Sequence, residues 1–116
     1  MDKFCIFVIS CVLLMSCATT TMTPDKRKVI DEIENRYMHC LGEKTAMYIE
    51  GSDDVQFLVK HILPQCDSYL SEMDDKLQEL GFSSSYSGGY IGAVRKNGSE
   101  TTTSFILRKK AKGNQQ

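Results

Sequence analysis

Tyr90-Ile91-Gly92-Ala93-Val94-Arg95-Lys96-Asn97-Gly98-Ser99-Glu100-Thr101-Thr102-Thr103-Ser104-Phe105-Ile106-Leu107 is the stretch on which the fold class turns. Its pattern alternates with period two around Asn97-Gly98, the strongest short-range hairpin signal, because both central residues of the turn must accept positive φ. Pairing across that turn sets Val94 against Thr101 and Tyr90 against Phe105 on one face, and Arg95 against Glu100 on the other. An aromatic pair and an opposite-charge pair then each contribute up to about 1 kcal/mol. A two-stranded ribbon is marginal by itself, so the face with Tyr90, Phe105 and Leu107 is expected to lie on helices. Ser83 to Gly89, just upstream, reads as a flexible loop.

The helices come before it. Thr23-Pro24-Asp25 combines a capping hydroxyl, a proline whose missing N–H is harmless and a carboxylate against the positive dipole end. Val29, Ile30, Ile33, Tyr37, Cys40 and Leu41 follow at three- and four-residue steps, and Gly42 offers a left-handed stop. Lys44 to Glu50 adds a short helical stretch before Gly51. Ser52-Asp53-Asp54 opens the next helix, with Val55, Leu58, Val59 and Ile62 on its apolar face, and Pro64 marks a kink or a fresh first turn. Cys66, Tyr69, Leu70, Met73, Leu77 and Leu80 keep the cleanest helical spacing, with Gly81 as the stop. The expected class is α+β: about three helices, then a C-terminal hairpin, in one domain over residues 24–107.

Composition sets the outer bounds. The 116 residues carry 14 Lys plus Arg against 15 Asp plus Glu, a net charge of -1, with 41% hydrophobic residues. Near-neutral charge argues against nucleic acid as a partner, since phosphate binding rests on accumulated cations. The charge is unevenly placed. Residues 17–89 hold 7 basic and 13 acidic side chains, whereas residues 90–116 hold 6 basic and 1 acidic. Arg108, Lys109, Lys110 and Lys112 dominate residues 108–116, which read as a basic, flexible tail suited to an anionic partner or to solubility alone.

Residues 4–15 contain no charge and follow Met1-Asp2-Lys3. Twelve residues are too few to span a bilayer, where about 20 are needed, but suit the apolar core of an export signal. The run ends in Leu14-Met15-Ser16-Cys17, and here the segment resembles the signal of bacterial membrane lipoproteins. In that class a leucine stands three before the cysteine and a small residue one before it. The resemblance implies that residues 1–16 are removed, that Cys17 is acylated by palmitate-type chains, and that residues 17–23 tether the domain to the bilayer. Ala18 in place of Asp implies the periplasmic leaflet of the outer membrane in a Gram-negative cell. An ordinary cleaved signal and a short buried segment of a cytosolic protein are the alternatives, though three cysteines in an apolar run suit the latter poorly.

Export places Cys40 and Cys66 in an oxidising compartment, and both face inward on helices, so a Cys40–Cys66 disulfide is expected. It closes a loop of about 26 residues and on the chain-entropy model adds roughly 3 to 4 kcal/mol. Two unpaired buried thiols are the alternative. No C-x-x-C spacing suggests a redox site. His39, Cys40, His61 and Cys66 make a zinc set only on paper, because adjacent helical residues diverge by about 100°. Gly88-Gly89-x-x-Gly92 lacks the Lys-Ser/Thr ending of a phosphate loop, and the serines at 83–87 lack a nucleophile elbow. No cofactor is implied. These residues fit a non-enzymatic, membrane-anchored envelope lipoprotein that binds another envelope component. A protective lipoprotein of the superinfection-exclusion or inhibitor type is a second reading, and a membrane-bound hydrolase using His39 or His61 a third.

Overall fold

A capping hydroxyl opens the first helix in the computed structural model, which describes residues 20–50 and 54–113. Thr23 Oγ1 accepts from the Lys26 backbone N–H at 3.3 Å, and helix α1 runs over Pro24–Tyr48. The signal run and Cys17 lie outside the described residues, as do Ser52, Asp53 and residues 114–116. Helix α1 does not stop at Gly42. Ile30, Ile33, Tyr37, Leu41 and Thr45 form one buried stripe, and Gly42 sits on the exposed side. Burial of Thr45, whose hydroxyl donates to the Leu41 carbonyl at 2.6 Å, carries the helix past a glycine that costs about 1 kcal/mol.

Helix α2 covers Val55–Ile62, and Pro64 starts a 3₁₀ turn over Leu63–Cys66 rather than breaking the chain direction. Helix α3 follows over Asp67–Glu79, burying Leu70, Met73 and Leu77. Gly81, at φ 100°, ends it in the left-handed region, the one positive φ among the described residues. The Phe82 N–H donates to the Leu77 carbonyl at 3.1 Å, closing the helix end.

Helix α4 then spans Ser84–Gly113, thirty residues, and it overturns the expected C-terminal hairpin. No strand occurs among the described residues, so the class is all-α rather than α+β. The stretch expected as a loop at 83–89 is the first turns of this helix. Ser83 caps it, its Oγ accepting from the Tyr86 N–H at 3.1 Å and its carbonyl from the Ser87 N–H at 2.9 Å. The buried positions are Ser87, Val94, Gly98, Thr102 and Ile106, four-residue steps from 94 onward. Phe105 and Leu107, expected on the core face, are 43% and 52% exposed.

Gly98 explains the reversal. A Cβ there would lie 2.8 Å from Leu41 Cδ1 and 2.9 Å from Tyr37 Cε1, so the glycine lets α4 approach α1. Its role is close packing of two helices, not positive φ in a turn. The helices form an up-down-up bundle. Lys26 stands 5.5 Å over the Phe82 ring at the start of α1 and α4, and Tyr37 meets Gly98 midway, so these two run parallel. Arg36–Glu72 at 2.9 Å and Cys40–Cys66 set α3 antiparallel to α1. Ile30, Tyr37, Ile62, Cys66, Met73, Leu77 and Ile106 fill the centre with no exposure. No described helix is long and apolar enough to cross a membrane.

Candidate functional site

The expected disulfide is present. Cys40 on α1 joins Cys66 at the end of the 3₁₀ turn, with Cα atoms 5.9 Å apart and a sequence separation of 26. Both thiols are consumed by that bond and offer no thiolate to a metal. Among the described residues no three His, Cys, Asp or Glu side chains gather as a metal cluster. His39 lies on the exposed face of α1, its Nε2 2.9 Å from Glu43 Oε1. His61 is exposed on α2 between two rings, edge-on to Tyr48 at 4.8 Å and stacked on Phe57 at 6.4 Å. Among the described residues these two side chains contact Glu43, Tyr48 and Phe57.

The serine-rich segment supplies one buried hydroxyl. Ser87 is fully buried and donates to the Asp74 carboxylate, joining α4 to α3. The Gln78 side-chain amide donates to the same carboxylate at 3.1 Å. These hydrogen bonds, Ser87 first and Gln78 second, hold the Asp74 carboxyl below its ordinary range. Beside the pair runs a groove of about 320 Å³ over Ser71, Asp74, Gly88, Gly92 and Arg95. At Gly88 and Gly92 a Cβ would meet nothing within 4 Å. Tyr37 is buried against Gly98 with no protein hydrogen-bond partner for its hydroxyl, and desolvation raises its phenol, with Asp67 adding to the rise and Arg95 opposing it.

The basic residues end up on a structured surface. Arg108, Lys109, Lys110 and Lys112, expected in a flexible tail, lie within α4, so the boundary expected after residue 107 falls inside a helix. Lys109 Nζ stands 5.8 Å over the Phe105 ring. Between the ends of α1 and α4 a groove of about 380 Å³ is lined by Ala46, Ile49, Glu50, Phe105, Lys109 and Lys110. Exposed Met47 and Phe57 belong to the same end of the bundle, at 65% and 58%. The groove therefore offers an apolar floor rimmed by cations and one carboxylate.

At the opposite end, residues 20–23, expected to be part of a free tether, contact the bundle. Thr20 Oγ1 donates to the Gly81 carbonyl at 2.7 Å, and its side chain lies against the space beside Gly81 Cα. Residues 20–23 are thus laid on the bundle. Phe82 stacks on Tyr86 at 4.6 Å, and Tyr86 meets Tyr90 at 6.4 Å. Burial, with Glu34 adding and Arg27 opposing, raises the Tyr90 phenol, which places this aromatic ladder beside the first turns of α1. Ser84–Gly113 rises about 45 Å at about 1.5 Å per residue, so the two ends are far apart.

No family model, curated protein or solved structure matches the chain. Sequence reasoning missed three features: the Thr20–Gly81 contact, the Ser87–Asp74 pair and the groove at Phe105. The first two join residues 61 and 13 positions apart without any motif. The groove had a partial signal in Phe105, which the hairpin register turned inward, and in Lys109 and Lys110, which were read as part of a flexible tail.

Proposed function

We propose that the chain is a membrane-anchored envelope lipoprotein, non-enzymatic, that binds another protein of the cell envelope through the end of the bundle remote from its anchor. Leu14-Met15-Ser16-Cys17 behind an uncharged run supports acylation at Cys17. Two or three acyl chains, at about 0.8 kcal/mol per buried methylene, hold a protein at a bilayer permanently. Ala18 favours the periplasmic leaflet of the outer membrane in a Gram-negative cell. The observation that carries the reading is the separation of the two ends. Thr20, three residues beyond Cys17, is fixed at the Gly81 turn, while Phe105, Leu107 and the basic run lie at the far end of α4.

A photoreactive residue at position 105 or 107, in the full chain in its native membrane, tests it. A discrete protein adduct is expected from either position and none from the exposed position 75 on α3. Arg108→Glu with Lys109→Glu should abolish the adduct. Repeated absence of an adduct at 105 and 107, or the same pattern from position 75, contradicts the reading.

A further inference from the structure

The Gly81 end carries more than the docked tether. Lys26, Arg27 and Lys28 fall in the first turns of α1, where the helix dipole favours anions and disfavours cations. Arg27 and Lys28 are exposed. Asp25 is the acidic residue of that turn, and nearby Glu79 is engaged by Lys76 at 3.3 Å. A cluster placed against the dipole preference gains from an anionic surface outside the molecule. Tyr86, 43% exposed and stacked on Phe82, stands beside it at the start of α4. An exposed tyrosine with an apolar body and a polar tip is suited to the headgroup layer of a bilayer.

Chain length fixes where that bilayer would be. From Cys17 to Thr20 the chain spans at most about 10 Å at about 3.3 to 3.6 Å per residue. An acylated Cys17 therefore holds the Gly81 end at the headgroups and cannot let the bundle drift a helix length away. We propose that this end, through Tyr86 and the cations Lys26, Arg27 and Lys28, is a seat on a phospholipid bilayer, so that the bundle stands with α4 pointing away from the membrane. The seat rests on the anchoring reading above and adds an orientation to it. Anionic headgroups match the cations. The far groove then faces outward to a partner rather than to the lipid that holds the anchor.

The chain contains no tryptophan, so a single introduced indole reports its own surroundings. Tyr86→Trp and Phe105→Trp are made in the full chain, which is extracted from membranes, checked for acylation by mass and reconstituted into vesicles of brominated phosphatidylcholine, with and without phosphatidylglycerol. Nineteen residues of helix separate the two positions, about 28 Å. Tyr86→Trp should lose most of its emission to the bromines and shift to the blue, whereas Phe105→Trp should lose none. Replacing Lys26, Arg27 and Lys28 by Gln should weaken the quenching at 86 when phosphatidylglycerol is present. Ser84→Trp provides a second reporter at the same turn if Tyr86→Trp fails to fold. A vesicle-bound, acylated chain with no quenching at 84 or 86 overturns the seat alone, as does equal quenching at 86 and 105. A chain that is not acylated overturns the anchoring reading and the seat with it.

Discussion

A methyl group at position 98 would have to displace Leu41 and the Tyr37 ring, both within 3.0 Å of where it would sit. Gly98→Ala should therefore cost about 1–3 kcal/mol by overpacking, even though alanine is the better helix former by about 1 kcal/mol. Gly88→Ala and Gly92→Ala, which meet open space, should gain about 0.5–1 kcal/mol. Urea unfolding of the three variants checks the ordering, and a stabilised Gly98→Ala would contradict the close approach of α1 and α4. Ser87→Ala addresses the second contact. Asp74 has its folded value below the ordinary carboxylate value, so the stability it contributes is present above about pH 4 and is lost as pH falls through the folded value. The difference in stability between the parent and Ser87→Ala should accordingly be full at neutral pH and shrink in acid. A difference that stays constant down to acid pH would remove the Asp74 carboxylate from the account.

At the scale of the element, α4 shows what a pattern reading misses and why. Helices α1 and α3 bury aliphatic and aromatic side chains at helical steps, so their faces stand out in the sequence. Helix α4 buries Ser87, Gly98 and Thr102 between Val94 and Ile106, and leaves Phe105 and Leu107 outside. Its apolar period is thus blurred, while Asn97-Gly98 and the threonine run imitate a hairpin. The threonines are tolerated in the helix partly because Thr103 Oγ1 donates to the Ser99 carbonyl at 2.8 Å. The groove was illegible for a related reason: its wall at Ala46 and Ile49 lies beyond Gly42, where the glycine suggested that α1 ended. Amide hydrogen exchange should find Asn97 and Gly98 as protected as Val94 and Ile106. Fast exchange at 97 and 98 between protected flanks would restore the hairpin.

For the whole molecule the disulfide and the polarity of the bundle matter most. The pairing of Cys40 with Cys66 was legible because both cysteines fall at apolar helical positions and the uncharged run over residues 4–15, read as an export signal, led to the expectation of an oxidising compartment. Replacing both by Ser should lower stability by roughly 3 to 4 kcal/mol on the chain-entropy model. In a domain of this size that shifts the Tm down by more than about 10 °C. By contrast Arg36→Gln, breaking a half-exposed ion pair, should cost less than about 1 kcal/mol. The basic residues at 108–112 were named from the sequence, but their helical setting beside an apolar groove, remote from Thr20, emerges only from the fold. That distance gives the anchored reading its consequence: one end for lipid, the other for a partner.

Intact mass of the membrane-extracted protein, before and after reduction with thiol alkylation and beside a Cys17→Ala variant, reads out export, acylation and the disulfide in one experiment. The expected chain begins at an acylated Cys17, and its Cys40 and Cys66 accept the alkylating reagent only after reduction. The variant should keep its unprocessed mass. An unmodified chain still carrying residues 1–16, with thiols that alkylate without reduction, would contradict export, anchor and staple together.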